Sequence, residues 1–283
     1  MSLAPIVARK TWRTLEPVHG MIYFAPEAHE SYRAVGLTND RMGYFASRSA
    51  ALGAAPAELV IATFFNFYPS LVRAAIPAAW ALAFPAQIIE ARLAAADRAL
   101  RRALGAAVAG EVVTEASMLA RRAALAACDH PQARPLFAAH ASLDWPDDAH
   151  LVLWHAQTLL REFRGDAHVA ALLLDDLSGL EALVIHAATG DVPAAVLQAT
   201  RAWPDDEWGA AIERLRSRGM LAPVGPLALS DEGRHRRQWV EDRTDALAVV
   251  AYECLGEDGC ARLREVGRPL SQAVIDAGLI PVR

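Results

Sequence analysis

Apolar residues recur at three- and four-residue spacing along most of this chain, which is the period of amphipathic α-helices. The pattern is clearest over residues 86–105, 114–128 and 149–165, where it predicts three long helices. Gly165 is predicted to close the third helix, and Asp166 to cap the next one. Prolines punctuate residues 1–85 at short intervals, which favours short helices joined by turns.

The second half of the chain has an informative order of elements. Ser178 and Glu181 have the spacing of a capping box, and two further short helices are predicted before Gly219. Residues 221–229, LAPVGPLAL, are typical of two very short strands about a Gly-Pro turn, and Ser230 is positioned to cap a long helix. Three short helices, a two-stranded ribbon and a long helix are the elements of a winged helix-turn-helix.

These elements predict an all-α fold with a small two-stranded wing. We expect an N-terminal helical, aromatic-rich domain over residues 1–145 and a winged helix over residues 146–283. The alanine-rich C-terminal helices offer a surface that permits pairing of two chains, so a homodimer is expected.

Composition limits the class of protein further. Hydrophobic residues make up 54% of the 283 positions and charged residues 22%, which excludes a disordered chain. The net charge of -5 provides no global positive field that would attract nucleic acid. Three cysteines without a CxxC spacing favour reduced thiols, and no apolar run has the length of a membrane span. The sequence therefore predicts a cytoplasmic protein with no membrane partner.

Residues 212–248 resemble the end of a MarR-type winged helix. In that family a Leu-x-x-Arg-Gly phrase ends the recognition helix, and a Leu-Ser/Thr-x-x-Gly phrase opens the dimer helix. The matching residues here are Leu215, Arg218, Gly219, Leu229, Ser230 and Gly233. The whole chain, including HGMIYFAPEAHESYRAVGL and LWHAQTLLREFRGDAHVAAL, is similar to SalK-like helix-turn-helix proteins of actinobacteria. The resemblance implies the fold and says little about activity.

The winged helix has an unusual charge pattern for a protein that reads DNA. The first turn of its recognition helix carries Asp205, Asp206 and Glu207, and residues 221–229 contain no arginine or lysine. The basic side chains cluster later, and they form either a phosphate-contacting patch or a solvated face with local ion pairs. The candidate DNA contacts are Arg214, Arg216, Arg218, Arg234, Arg236 and Arg237.

Polar residues are densest on the third long helix. His155, Thr158 and Glu162 share one stripe of it, beside a leucine-rich face, so some of these groups are expected to be buried. One interpretation is a network of salt bridges between helices. The other is a pocket in which an arginine binds an anion and a histidine transfers a proton. The candidate residues of this pocket are His155, Arg161, Glu162, Arg164 and His168.

Two N-terminal segments add further candidates for ligand binding. HGMIYFAPEAH supplies His19, Tyr23 and His29, which together with Glu27 have the residue types of a metal site or a haem ligand, without a signature spacing. Arg48 is a possible anion anchor, and Asn66 lies in an aromatic segment that suits either a ligand cavity or plain core.

Two functions stay open at this point, beside a purely structural interaction role that would involve neither DNA nor a ligand. The first is a small-molecule-responsive, MarR-like transcriptional regulator with weak or degenerate DNA contacts. The alternative is an enzyme or a carrier of a cofactor or metal, with a His/Arg/Glu pocket on a winged helix that no longer binds DNA. The sequence identifies neither the ligand nor any catalytic residue, and no phosphate loop or GxSxG motif occurs in it.

Overall fold

The computed structural model describes residues 3–280, and the regular secondary structure of this part of the chain is helical apart from one isolated β-bridge. Sixteen α-helices follow one another, joined by turns and by short 3-10 segments. They are α1 (Pro5–Gly20), α2 (Pro26–Ala34), α3 (Asp40–Ser49), α4 (Ala57–Phe64), α5 (Pro69–Arg73), α6 (Ala78–Leu82), α7 (Pro85–Leu104), α8 (Glu111–Cys128), α9 (Pro135–Ala141), α10 (Ala149–Leu174), α11 (Gly179–Ala187), α12 (Ala194–Arg201), α13 (Asp205–Ser217), α14 (Asp231–Ala248), α15 (Val250–Glu253) and α16 (Gly256–Asp276).

Proline begins many of these helices. It fixes φ near the helical value and lacks the amide hydrogen that the first turn would leave unbonded, so it is well suited to this position. It stands at the start of α1, α2, α5, α7 and α9, as Pro5, Pro26, Pro69, Pro85 and Pro135. The same prolines that interrupt the N-terminal pattern therefore set the helix boundaries there.

The chain divides into two compact units. The first unit comprises residues 1–55, 75–166 and 245–283, and the second comprises residues 56–74 and 167–244. The boundary expected between residues 145 and 146 falls inside the first unit. The second unit also includes residues 56–74, which belong to the aromatic N-terminal half of the sequence.

Small residues allow the helices of the first unit to pack closely. The buried face of α8 is almost entirely alanine, and α8 packs against α15 and α16. α1 lies along α16, where a Cβ at Gly267 would come within 2.8 Å of the Leu15 side chain. Glycine at this position therefore favours the close approach of the two helices, because a Cβ would displace the Leu15 side chain.

The predicted break at Gly165 does not occur. α10 continues as one helix from Ala149 to Leu174, and Asp166 is an interior residue rather than the cap of a new helix. Its carboxylate instead accepts a hydrogen bond of 2.9 Å from the backbone N–H of Phe137. A single glycine costs a helix about 1 kcal/mol, which burial of the flanking residues offsets.

The second unit has its own apolar core. Trp208, Ala211 and Leu215 form the buried stripe of α13, and they belong to one cluster with leucines and valines of α11. Gly179 opens α11 where a Cβ would lie 2.0 Å from the carbonyl oxygen of Phe65, so no other residue fits there without moving the backbone. Ser178 and Glu181 form the predicted capping box.

The predicted wing is reduced to a single contact. Residues 221–229 make one antiparallel bridge, between Leu221 and Leu229, and no named strand occurs among the described residues. The backbone N–H of Ala222 donates to the carbonyl of Ala228 at 2.9 Å. Two prolines, Pro223 and Pro226, lack the amide hydrogens that a longer ribbon would need.

Candidate functional site

A buried polar cluster in the first unit joins α1, α3 and α10. Glu162 of α10 is 1% exposed and accepts two hydrogen bonds from Arg48 of α3, from Nε at 3.0 Å and from Nη2 at 2.9 Å. Nη1 of Arg161 lies 2.9 and 2.8 Å from the same two carboxylate oxygens. One negatively charged carboxylate is therefore shared by two positively charged guanidinium groups inside the protein.

Electrostatics hold this carboxylate ionised. Burial raises the pKa of Glu162, but the charges of Arg161 and Arg48 outweigh burial and hold it well below its usual range. The pKa of Glu16 in α1 changes in the opposite direction. Its carboxylate lies 4.0 Å from Nε of Arg161. Burial, only partly opposed by Arg161, raises the pKa of Glu16 to about 7. The cluster thus has one firmly ionised carboxylate and one that titrates near neutrality.

His19 connects α1 to the same cluster. Its Nδ1 lies 3.0 Å from Oγ1 of Thr158, and its Nε2 lies 2.9 Å from the hydroxyl of Tyr23. Burial, assisted by Arg161, lowers the pKa of His19 well below its ordinary value, so the ring is neutral. Because both ring nitrogens have partners, His19 offers no free nitrogen to a metal or a haem iron.

The other residues of the candidate metal site lie elsewhere. His29 contacts the Asp40 carboxylate through Nδ1 at 2.9 Å on the surface, and Glu27 forms an ion pair with Arg102. His19, Glu27 and His29 therefore do not form one donor set.

Within residues 3–280, one trio does bring potential metal ligands within 4.8 Å of one another, namely Asp97, Asp148 and His150. The guanidinium group of Arg101 donates to both carboxylates, at 2.7 and 3.0 Å. His150 Nε2 lies 2.6 Å from the Asp97 carboxylate. The arginine supplies the positive charge that a cation would otherwise bring, so this trio forms an ion-pair network.

The remaining candidates on α10 have separate neighbours. Arg164 pairs with Asp245 at 2.6 Å, as the interpretation of salt bridges between helices expects. His155 packs edge-on against the ring of Trp145, with 4.7 Å between the ring centroids. His168 belongs to the second unit and contacts the Thr244 hydroxyl at 2.9 Å.

Asn66 also belongs to the second unit, where its backbone carbonyl accepts a hydrogen bond from the Trp203 indole. The structure therefore brings together His19, Tyr23, Arg48, Arg161 and Glu162. His29, His155 and Arg164 have other contacts, and Asn66 and His168 belong to the second unit.

Sequence reasoning missed Arg92. This residue lies on the buried face of α7, one turn after Ile88 and one turn before Ala96, and is 4% exposed. Its Nη1 reaches the Ser47 carbonyl at 3.5 Å, and its guanidinium carbon lies 5.2 Å from the centre of the Trp154 ring. An arginine within an alanine-rich apolar stripe was the available signal.

The second unit contains a helix-turn-helix arrangement. α12 ends at Arg201, α13 begins at Asp205, and the three residues between them include Ala202 in the left-handed conformation with φ of 59°. Gln198 fixes the turn by donating from Nε2 to the Trp203 carbonyl at 3.2 Å and to Asp205 at 2.6 Å. A turn of three to four residues between two short helices is the hallmark of this motif.

The exposed face of α13 is not basic. Asp206, Ala210, Glu213 and Ser217 are exposed at four- and three-residue spacing, opposite the buried stripe of this helix.

Most of the predicted DNA contacts already have partners within the protein. Arg214 pairs with Glu181 at 3.2 Å, and Arg236 pairs with Asp175 at 2.6 Å. Arg216 pairs with Glu213, Arg234 with Asp231, and Arg218 donates to backbone carbonyls of residues 175 and 176. Arg237 is half-buried and forms no hydrogen bond or ion pair within the described part of the chain.

The phrase that resembles the start of a MarR dimer helix has a structural explanation. The hydroxyl of Ser230 accepts a hydrogen bond from the Gly233 N–H at 3.0 Å and donates to the Gly219 carbonyl. A Cβ at Gly233 would lie 1.9 Å from the carbonyl oxygen of Met220. Serine and glycine are therefore needed to join α14 to the turn after α13.

An all-helical chain with a helix-turn-helix segment in its second unit defines the class of protein. A family model described as a helix-turn-helix family matches residues 8–281, nearly the whole chain, and the chain belongs to this family. No curated protein and no solved structure matches it. Membership of this family supports a DNA-binding protein of the regulator type.

No single helix within residues 3–280 combines the length and the apolar composition of a membrane span. Among the described helices, one pair, formed by residues 69–82 and 85–109 and bent by 99°, has both when its halves are taken together.

Proposed function

We propose that this protein is a small-molecule-responsive DNA-binding regulator of the winged-helix type with weak, mainly electrostatic DNA contacts. The observation that carries the proposal is the α12–α13 helix-turn-helix within a chain that belongs to a helix-turn-helix family. The order of the predicted elements and the MarR-like phrase at Leu229, Ser230 and Gly233 support the winged-helix assignment.

The charge on the motif favours weak contacts. Asp206 and Glu213 on the exposed face of α13 would repel phosphate groups, whereas Arg237 is available to attract them. The other five arginines contribute to DNA binding only when each exchanges its existing partner for a phosphate group. They are Arg214, Arg216, Arg218, Arg234 and Arg236. This exchange lowers the net gain per contact, so we expect modest affinity and a clear dependence on salt.

Fluorescence anisotropy with a duplex from the region upstream of its own gene tests the proposal. A scrambled duplex of equal length serves for comparison, and the titrations run from 25 to about 200 mM salt. Arg237→Ala is expected to weaken binding to both duplexes and to reduce the slope of log affinity against log salt by about one. The matched control is Arg13→Ala, an exposed arginine of the first unit, which should leave the slope unchanged. Absence of binding to either duplex at the lowest salt would reject DNA binding.

Response to a small molecule is the second half of the proposal. A ligand held by the buried cluster of the first unit would change DNA affinity, and DNA would change ligand affinity by the same factor. The resemblance to MarR-type proteins also implies a homodimer, which sedimentation velocity of the purified chain tests.

A second candidate function is favoured by the acidic face of α13 and by the internal partners of most nearby arginines. In this alternative the chain is an enzyme or a ligand carrier on a helix-turn-helix scaffold that has lost DNA binding. It predicts no binding to either duplex at any salt, together with an organic ligand or cofactor that accompanies the purified protein.

A further inference from the structure

Arg92 presents two buried hydrogen-bond donors without a partner. The side chain has lost nearly all contact with solvent, yet Nε and Nη2 have no hydrogen-bond partner among residues 3–280. Its one hydrogen bond, from Nη1 to the Ser47 carbonyl, is long at 3.5 Å. A guanidinium group stays charged at all accessible pH values, and burying it without a counter-charge is costly. Such a group indicates a ligand that supplies the missing hydrogen-bond acceptors and the counter-charge.

Arg48, in the same unit, shows what the free atoms of Arg92 are suited to hold. Nε and Nη2 lie on one edge of the guanidinium plane, and in Arg48 these two atoms hold the Glu162 carboxylate at 3.0 and 2.9 Å. In Arg92 the same pair of atoms lacks a partner. A planar carboxylate accepts both hydrogen bonds in parallel, which is the preferred geometry of this edge.

Trp154 and the residue that follows it also carry unpartnered polar atoms. The ring of Trp154 lies beneath the guanidinium group, and its indole Nε1 has no hydrogen-bond partner in the described chain. The next residue, His155, is buried and its Nε2 likewise has none. After burial, the charge of Arg92 is the next largest cause that lowers the pKa of His155 to about 4.

The balance of charge around Arg92 favours an anion. Arg48, Arg92 and Arg161 act together on His19 and on Tyr23, and Glu162 is the firmly ionised carboxylate among them. His140 adds no charge, since burial and Arg92 lower its pKa to about 3. Arg48 and Arg161 share the Glu162 carboxylate, whereas Arg92 has no carboxylate partner within residues 3–280. A ligand with one negative charge would supply that partner.

We infer that Arg92, Trp154 and His155 form a binding site for a small organic carboxylate in the first unit. The carboxylate oxygens accept from Nε and Nη2 of Arg92, and the indole N–H of Trp154 and a protonated nitrogen of the neutral His155 ring supply further donors. This inference rests on the proposed function and names the class of ligand to which the regulator responds. Its test involves no DNA, so the two proposals can fail separately.

Equilibrium dialysis of the full-length protein with radiolabelled acetate, formate and benzoate tests this site at constant ionic strength. We expect about one carboxylate to bind per chain. Arg92→Met keeps the length of the side chain and removes its donors, and it should reduce carboxylate affinity at least about tenfold. The matched control is Arg98→Met on the same helix, where Arg98 is exposed and pairs with Glu30, and it should bind like the wild type.

Trp154→Phe provides a second variant if Arg92→Met does not fold. It keeps an aromatic ring beneath Arg92 and removes the indole N–H, so it should weaken carboxylate binding by about threefold or more. Chloride and inorganic phosphate are the comparison anions. Binding of these anions alone, no binding of any carboxylate, or equal carboxylate affinity of wild type and Arg92→Met would each overturn the inference.

Discussion

Arg48 and Glu162, 114 positions apart in sequence, face each other edge to edge in the interior of the first unit. Two parallel hydrogen bonds join the guanidinium group to the carboxylate, and the carboxylate also contacts Arg161. The pair fixes α3 against α10 in a single register, because its geometry tolerates little displacement.

Removing one partner of this pair should destabilise the protein strongly. Glu162→Gln removes the ionised carboxylate that Arg48 and Arg161 share, and we expect a loss of about 3–5 kcal/mol in the free energy of unfolding. The combined variant Arg48→Met with Glu162→Leu should be less harmful than Glu162→Gln alone, since no charge of the pair remains unpaired. Urea unfolding measures both variants. The exposed pair of Arg262 with Glu115 is the control, and Arg262→Ala should leave the urea midpoint almost unchanged.

Acid should destabilise the native state through His155. Burial, followed by the charge of Arg92, lowers the pKa of this imidazole to about 4 from an ordinary value of 6.5. Between these values the unfolded chain binds a proton that the native chain does not, so stability falls as pH falls from 6.5 towards 4. The full effect is about 3 kcal/mol.

Urea unfolding of wild type and His155→Phe across this range, in buffers free of carboxylates, checks the assignment to His155. The free energy of unfolding of the wild type minus that of the variant should decrease as pH falls, because the variant keeps an aromatic ring and loses the titration of the imidazole. Burial raises the pKa of Asp166 to about 6 and that of Glu16 to about 7, which changes stability in the opposite direction. Both carboxyl groups are present in both proteins, so their effects cancel. A parallel pH dependence of the two proteins would refute the assignment.

The junction of α14 with the turn before it should not tolerate a side chain at Gly233. Gly233→Ala places a methyl group against the carbonyl of Met220, and we expect a loss of about 1–3 kcal/mol in stability together with weaker DNA binding. Thermal unfolding followed by circular dichroism measures the first effect. Gly209→Ala is the control, because a Cβ there meets no atom within 4 Å. Gly209→Ala should be neutral or stabilising.

The acidic face of α13 should limit DNA affinity. Asp206→Asn removes one exposed negative charge from the first turn of this helix, and we expect about a twofold to threefold gain in affinity at low salt that fades towards 200 mM. Anisotropy titrations of wild type and variant on one duplex measure this gain. Asp144→Asn, an exposed charge change in the first unit, should have no effect. An unchanged affinity of Asp206→Asn at low salt would mean that this face of α13 does not approach DNA.

The MarR-like phrase was visible in sequence because its parts are local. Ser230 caps the helix that begins one residue later, and Ser178 with Glu181 caps α11, so residues within one turn specify each helix start. The wing was harder to predict. Its apolar residues suit strands, but Pro223 and Pro226 remove donors, and a single bridge is formed.

The sequence by itself determined the helical class, several helix boundaries after residue 85 and the charge of the helix-turn-helix, because these depend on periodicity, caps and composition within a few residues. Only the tertiary structure decided which polar groups meet inside the protein. Glu162 contacts Arg48 and Thr158 contacts His19, while His155, on the same stripe of α10, packs against Trp145. The partners of a buried side chain come from distant segments, so no local pattern could assign a carboxylate to Arg48 and none to Arg92.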